Sequence, residues 1–288
     1  MNRNVLRIEE VRSGDTASAG GKGANLGELA AAGFPVPPGF VVSAQACRAF
    51  FESLGLRDAI DGLEGASGKD ELAKRCSTLQ RRVVEAEMPG PLAREILEAH
   101  ARLIGERGAG VLCAARSSAT AEDLAGASFA GQHGTYYYVY AARLLEMIRR
   151  CWASLWSPEA VSYRSSHGIA HASVFMAVVV QEMVRSEISG VTFTANPVSG
   201  DRTEIVVESS WGMGAAIVDG RVTPDRYIVG RDGFQLRERR IAEKKFMVSS
   251  RPNEGPAERL VEVPHDKRRS ETLPPEQVRM VAEWALKC

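Results

Sequence analysis

An apolar run from Val174 to Val180 limits the possible folds more than any other segment of this chain. The run reads Val-Phe-Met-Ala-Val-Val-Val, and such an uninterrupted stretch, rich in β-branched residues, is typical of a strand buried in a core. Shorter strands are predicted at 191–194, 204–208 and 225–229. Amphipathic patterns predict helices at 70–86, 91–104, 141–156 and 158–166. The chain is therefore expected to mix helices with sheet.

Changes in composition divide the chain into three predicted parts. Residues 1–110 form an N-terminal lobe, because they combine a glycine-lysine segment with several helices. Residues 111–248 form the part that contains the sheet. Residues 249–288 begin as a polar, proline-containing linker and end in a helix that starts near Pro275. Because that helix reaches the last residue without a capping signal, the chain is expected to be a fragment.

Composition excludes several classes of partner. The chain has 36 basic and 36 acidic residues, and this balance gives no general attraction to nucleic acid or to an anionic membrane. No uncharged apolar stretch is long enough to span a bilayer, and the first residues do not resemble a secretory signal. Five scattered cysteines without paired spacing suit a reducing compartment, so a cytoplasmic location is expected.

Residues 20–23, with the sequence Gly-Gly-Lys-Gly, open a predicted helix and form the first candidate site. Glycines let an anion approach the backbone, the first N–H groups of the helix point outward, and Lys22 adds a positive charge. The spacing is not that of a Walker A loop. The alternative is an ordinary glycine turn followed by a solvated lysine.

Two further segments could bind phosphate. Arg116 follows an apolar run at 111–115, and a guanidinium at a strand end suits bidentate phosphate binding. Its alternative role is an ion pair with Glu122 or Asp123. Residues 128–135 contain glycines that bracket polar side chains, as expected of a loop that folds over a triphosphate; the alternative is an ordinary hairpin turn.

The buried strand leaves the core at residues 181–184, Gln-Glu-Met-Val. A backbone that emerges in this way can present its N–H and C=O groups to a purine edge, or the strand can simply reach the surface. His167 and His171 are four residues apart, but without a third ligand a structural role is favoured over a metal site. The charged run from Arg237 to Lys245 is predicted to be a solvated face.

Taken together, these blocks resemble one family. They are residues 20–29 (GGKGANLGEL), 36–40 (VPPGF), 115–124 (ARSSATAEDL), 127–132 (ASFAGQ), 181–184 (QEMV) and 189–194 (SGVTFT). In this order they resemble the N-terminal nucleotide-binding domain of the pyruvate phosphate dikinase, phosphoenolpyruvate synthase and rifampin phosphotransferase family. Three further segments resemble the rifampin phosphotransferase branch of the family more than the others: residues 151–156, 196–200 and 222–227.

The resemblance implies an α+β, ATP-grasp-like fold in which ATP lies between two lobes, with ATP and Mg²⁺ as cofactors. In the family, ATP phosphorylates a histidine on a swivelling domain and leaves as AMP, and the histidine then phosphorylates a small molecule. The residues implied to act are Lys22 and Arg116 as catalytic phosphate clamps, Gly21 beside them, Gly131, Gln132 and Thr135 in the loop over the phosphates, and Gln181, Glu182, Met183 and Val184 around adenine.

The chain also departs from the family pattern. Residues 212–215 read Gly-Met-Gly-Ala where the family often has Gly-Leu-Gly-Glu, and Gly134 replaces a usual acid. The family's magnesium-binding acids lie beyond a helix like 275–287, and no histidine of this chain has the context of the swivelling-domain motif. The metal ligands are therefore unknown, and a histidine-bearing domain is expected in the same chain or as a separate partner.

Two other functions stay open at this stage. The missing acids suit a non-catalytic nucleotide-binding module or subunit that needs a partner. An ATP-grasp carboxylate ligase shares the implied fold but lacks this order of sequence blocks. The final phosphoryl acceptor is not revealed by the sequence.

Overall fold

The computed structural model describes residues 3–108, 110–120, 134–249 and 259–288. The chain divides into two compact units, residues 1–183 and 184–288. The predicted boundary at residue 110 therefore lies inside the first unit, and residues 250–258 of the predicted linker lie outside the described residues. Within the described part, no helix has both the length and the apolar character needed to cross a membrane.

The first unit alternates helices with short strands. Its elements are β1 (Val5–Arg7), α1 (Thr16–Ala31), β2 (Gly39–Val42), α2 (Ala44–Ser53), α3 (Arg57–Asp61), α4 (Lys69–Glu85), α5 (Gly90–Arg107), β3 (Cys113–Ala119), β4 (Thr135–Val139), α6 (Leu144–Ala153), α7 (Pro158–Ser166) and β5 (Met176–Glu182). The predicted helices at 70–86, 91–104 and 158–166 are confirmed. The predicted helix at 141–156 is shorter, because 3-10 turns flank α6 on both sides.

The strands of this unit form one sheet in the order β1-β2-β5-β3-β4, and neighbouring strands are antiparallel. The predicted buried strand is confirmed as β5, which lies at the centre of the sheet. Val178 and Val180 pack into a large core with the helices, including Phe50 and Trp152. Val179 packs on the opposite face in a second, smaller core. Because both faces of β5 are covered, its sequence has no alternation of polar and apolar residues.

Side-chain caps fix the start of two helices in this unit. The Ser43 hydroxyl accepts a hydrogen bond from the Ala46 N–H at the start of α2. Ser157 does the same for Ala160 in α7, where Pro158 occupies the first turn. Each cap satisfies an N–H group that has no partner within its helix. α2 begins directly after β2, so its cap also fixes the end of that strand.

The second unit contains a small antiparallel sheet in the order β6-β7-β8-β9 and a separate two-stranded sheet. Its elements are β6 (Ile188–Phe193), β7 (Glu204–Trp211), α8 (Ala215–Val218), β8 (Asp225–Gly230), β9 (Leu236–Arg240), β10 (Phe246–Ser249), β11 (Arg259–Glu262) and α9 (Pro275–Ala285). Val278 and Ala282 of α9 pack on Ile205 and Tyr227 of the sheet. Helices and antiparallel sheets in both units confirm the α+β class, while the ATP-grasp arrangement stays a prediction.

A fully buried ion pair crosses the second unit. The Lys244 Nζ lies 2.5 Å from Asp225 Oδ1, and both side chains are 0% exposed. The second carboxylate oxygen, Asp225 Oδ2, accepts hydrogen bonds from the Thr272 N–H and hydroxyl at 2.9 and 2.8 Å. The prediction that the run from Arg237 to Lys245 is solvated is therefore wrong for Lys244. A lysine can be buried where a carboxylate and a carbonyl oxygen, here that of Ala242, satisfy its donors.

Arg164 and His171 form a second buried polar contact, in the first unit. Arg164 Nε donates to His171 Nδ1 at 3.2 Å, and Arg164 Nη2 donates to the Leu155 carbonyl oxygen. His171 Nε2 lies 3.3 Å from Ser165 Oγ. Because Nδ1 accepts a hydrogen bond, the imidazole of His171 must be neutral with its proton on Nε2. The structural role that the sequence favours for His171 is confirmed.

This contact predicts that the protein loses stability in mild acid. Burial, and then the neighbouring Arg164 charge, lower the pKa of His171 below its ordinary value. As the pH falls below about 6.5, the unfolded chain therefore binds more protons than the folded one. The free energy of unfolding consequently decreases as the pH decreases. His171→Gln, which keeps an acceptor for Arg164 but cannot titrate, should show a shallower fall between about pH 7 and 5 in denaturant unfolding. The exposed His265→Gln variant is the control, and equal slopes for wild type and His171→Gln would contradict the prediction.

Candidate functional site

The glycine-lysine segment lies inside α1 rather than before it. α1 is interrupted at Gly20, whose φ of +68° lies in the left-handed region that favours glycine. Gly21 and Gly23 are buried, and Lys22 is partly exposed between them. The helix that residues 20–23 were predicted to open therefore begins earlier, because residues 16–19 already form a first, short helical stretch before the interruption at Gly20.

Ser118 of β3 holds this segment against the sheet. The Gly23 N–H donates a hydrogen bond to Ser118 Oγ at 3.1 Å, and Ser118 Oγ donates to the Ala19 carbonyl oxygen at 2.8 Å. A Cβ atom at Gly20 would lie 2.2 Å from the Ser118 carbonyl oxygen. The close approach therefore requires glycine at this position, and it places the backbone that carries Lys22 directly on β3.

Arg116 lies on the same face of β3 as Ser118. Residues two apart on a strand point to the same face, roughly 6–7 Å apart along the strand. The cross-strand partner of Arg116 in β5 is Val179, which belongs to the core shared with Ala19 of α1. Its partner in β4 is Thr135. The structure thus brings three predicted elements to one face of the sheet: the Lys22 segment, Arg116 and Thr135.

Some predicted residues of the phosphate loop cannot be compared with the structure. Gly131 and Gln132 lie outside the described residues, as do Glu122 and Asp123, the acids considered as partners of Arg116. Gly134 is described, and its carbonyl oxygen accepts a hydrogen bond from the Ser117 N–H at 3.2 Å. The loop therefore returns to the sheet next to Arg116.

The predicted adenine segment, residues 181–184, is tied to its surroundings more firmly than the sequence suggests. Gln181 is buried, and its side chain donates to the Pro37 carbonyl oxygen at 2.9 Å. The N–H groups of Glu182 and Met183 donate to Pro38 and Leu112. These two N–H groups are therefore hydrogen-bonded within the protein. The next N–H group is that of Val184, which lies beyond the end of β5.

Within residues 181–184, some side chains have partners in the protein and others are exposed to solvent. The Glu182 carboxylate pairs with Arg107 Nε at 2.8 Å. Val184 is 54% exposed. Gln181 and Glu182 thus hold the neighbouring turn and helix end, and the adenine contact expected of this segment stays a prediction.

Sequence reasoning did not single out the role of Ser118. Arg116 was expected at the end of a strand, but it lies in the middle of β3, so Ser118, two residues later, shares its face. The sequence could not show that this face is covered by α1, because that depends on the pairing of β3 with β5. The acceptors Pro37, Pro38 and Leu112 were also missed, because they act through backbone oxygens.

Two cavities of the first unit lie away from the Lys22 segment and Arg116. One of about 490 Å³ is lined by α2, α3 and residues 171–175, and one of about 370 Å³ by β1, β2 and α5. The walls of these two cavities contain neither Lys22 nor Arg116. The candidate site therefore rests on the shared face of β3, β4 and α1.

The described residues contain no preassembled cluster of metal-ligating side chains. Among residues 3–108, 110–120, 134–249 and 259–288, no group of three or more histidine, cysteine, aspartate or glutamate side chains is arranged to hold a metal ion. Magnesium in proteins is held by carboxylates together with water and substrate phosphates.

Comparisons with known proteins agree on one family. A family model described as "Pyruvate phosphate dikinase, AMP/ATP-binding domain" matches residues 16–288. A probable phosphoenolpyruvate synthase of Methanocaldococcus jannaschii is 40% identical over 288 residues, covering 98% of this chain and 24% of the relative. The phosphoenolpyruvate synthase of Pyrococcus furiosus is 40% identical, covering 91% of this chain and 36% of the relative. A probable phosphoenolpyruvate synthase of Archaeoglobus fulgidus is 43% identical, covering 95% and 36%.

The chain therefore spans only part of the length of these relatives, between 24% and 36%. The family match, in contrast, covers nearly the whole chain and includes each described segment of the candidate site. The chain belongs to the family of pyruvate phosphate dikinase AMP/ATP-binding domains.

Proposed function

We propose that this chain binds ATP and donates a phosphoryl group to a histidine on a swivelling domain, as part of a phosphoenolpyruvate synthase. Of the two phosphates removed from ATP, one stays on the histidine and the other is released to water as inorganic phosphate, so that AMP is the nucleotide product. The family assignment and the names of the relatives support the proposal. The observation that carries it is the pair of hydrogen bonds through which Ser118 joins the Lys22 segment to the strand of Arg116. These bonds hold the backbone that carries Lys22 against β3, and Arg116 lies on the same face of that strand as Ser118.

The proposed roles follow from the charge of the ligand. A triphosphate carries negative charge that increases on its oxygens as the phosphoryl group leaves, so positioned cations accelerate the transfer without a covalent protein nucleophile. Lys22 and Arg116 supply these cations. Thr135, opposite Arg116, offers a hydroxyl at the same position, and Gly21 lets the phosphates approach the backbone.

The remaining proposed contacts complete the nucleotide site. Gly131 and Gln132 belong to the loop over the phosphates. Gln181 and Glu182 act by holding the segment in place, and Met183 and Val184 contact the adenine ring. Mg²⁺ stays a proposed cofactor, and its ligands are unknown.

The alternatives differ in what the nucleotide does. A non-catalytic module would bind ATP without transferring phosphate. A rifampin phosphotransferase would share the first half-reaction but pass the phosphoryl group to a different acceptor, whereas the relatives carry the name phosphoenolpyruvate synthase. A carboxylate ligase is not supported by the family assignment. The cytoplasmic location and the small-molecule acceptor likewise stay proposals.

A transfer assay tests the proposal. The chain is incubated with ATP labelled in its phosphoryl groups and with a candidate swivelling domain from a phosphoenolpyruvate synthase relative. Acid-labile label on that domain, together with AMP, is the expected result, because phosphohistidine hydrolyses in acid. A variant of the domain without its histidine is the control. ATP binding without transfer would favour the non-catalytic module instead.

A further inference from the structure

Ser118 connects two parts of the candidate site that are far apart in sequence. Its side chain is fully buried in β3. Its Oγ accepts a hydrogen bond from the Gly23 N–H and donates one to the Ala19 carbonyl oxygen, at 3.1 and 2.8 Å. One hydroxyl thus contacts the chain just before and just after the interruption of α1 at Gly20. Lys22 lies between these two anchor points.

The geometry around Gly20 shows how tightly this segment is seated. A Cβ atom at Gly20 would lie 2.2 Å from the Ser118 carbonyl oxygen and 2.3 Å from its Oγ. Real Cβ atoms do not approach so closely, so the segment lies against β3 without room for a side chain. The interruption leaves nearby backbone groups outside the regular helix pattern, and the Ser118 hydroxyl satisfies two of them, the Gly23 N–H and the Ala19 carbonyl.

Ser117, the neighbouring serine, differs in its surroundings. It is also buried, but its cross-strand partner in β5 is Val178, which belongs to the large helical core on the opposite face. The two serines therefore have the same chemistry and similar burial, and only Ser118 contacts the glycine-lysine segment. Ser117 is a matched control for Ser118.

We propose that Ser118 is a positioning residue: its hydroxyl fixes residues 19–23 on β3 and so holds Lys22 in register with Arg116 for the phosphates of ATP. The inference rests on the proposed function and extends it. Ser118 itself does not touch the nucleotide, because its side chain has no exposed surface. Its contribution is preorganisation, since a lysine on a loosened backbone would have to be ordered when ATP binds.

The test combines Ser118→Ala with the Lys22→Met variant in the full chain. Affinity for ATP and for adenosine is measured by titration calorimetry. Loss of the two hydrogen bonds should weaken ATP binding about tenfold and leave adenosine binding within about twofold. In the Lys22→Met background, Ser118→Ala should have no further effect on ATP binding, because it acts through Lys22. Ser117→Ala should bind both ligands like the wild type.

Amide hydrogen exchange provides a readout that does not need ATP. Ser118→Ala should increase exchange at residues 20–23, and Ser117→Ala should not. Unchanged exchange in Ser118→Ala would overturn the anchoring. Faster exchange with unchanged ATP affinity, or equal weakening in the wild-type and Lys22→Met backgrounds, would overturn the positioning role while leaving the proposed function standing. A wild-type chain that does not bind ATP would overturn both.

Discussion

Lys244→Met is expected to lower the free energy of unfolding by roughly 3–5 kcal/mol, measured by denaturant unfolding of the full chain. The substitution keeps most of the side-chain volume but removes the ammonium that neutralises Asp225. Both groups are 0% exposed, so water cannot take the place of the lost partner. Asp225 would retain hydrogen bonds from Thr272 and from the Ala242 N–H, but its negative charge would be buried without a cation.

An exposed ion pair in the same unit is the matched control. Arg239 pairs with Glu271 at 2.9 Å, and the two side chains are 49% and 37% exposed. Arg239→Met should change the free energy of unfolding by less than about 1 kcal/mol, because solvent screens such a pair. Similar losses for Lys244→Met and Arg239→Met would contradict the view that burial makes the Asp225 pair indispensable.

Lys22→Met and Arg116→Met are each expected to slow labelled phosphoryl transfer about 10²–10³-fold, which is the effect of removing one preorganised stabilising group from a transition state. Neither should greatly change stability. Lys22 and Arg116 are both partly exposed, and neither belongs to the apolar cores of the first unit. Initial rates with the swivelling domain and denaturant unfolding of each variant measure the two effects.

Arg150→Met is the control for these variants. Arg150 is an exposed cation of α6, paired with Glu146, and α6 packs on the helical face of the sheet. Its replacement should leave the transfer rate within about twofold. Full transfer by Arg116→Met, or an equal loss in Arg150→Met, would show that the face of β3 next to α1 has no special role.

Much of the first unit could be predicted from the sequence, because its signals are local. The apolar run that forms β5 and the helical periodicity of α4, α5 and α7 do not depend on distant residues. The segment that became β9 has the sequence Leu-Arg-Glu-Arg-Arg, and all five residues are exposed. No local pattern predicts such a strand, since it forms by pairing with β8.

The candidate site and the buried ion pair of the second unit show the same division. Lys22 and Arg116 could be proposed from residue type and from their neighbours, although Arg116 lies in the middle of β3 rather than at the predicted strand end. The burial of Lys244 could not, because its partner Asp225 is brought near by the turn between two strands. The engagement of the Glu182 and Met183 N–H groups also depends on distant carbonyl oxygens, those of Pro38 and Leu112. Long-range pairing decides which groups stay available to a ligand.

The central claim is that Lys22 and Arg116 bind the phosphates of one ATP molecule, and titration calorimetry of the full chain tests it most directly. ATP and adenosine are titrated into wild type, Lys22→Met, Arg116→Met and the double variant. Each single substitution should weaken ATP binding at least about tenfold and leave adenosine binding within about twofold, because a charged hydrogen bond to phosphate contributes about 1.5–3 kcal/mol. ATP binding that is unchanged by either substitution, or adenosine binding that weakens as much as ATP binding, would contradict the claim.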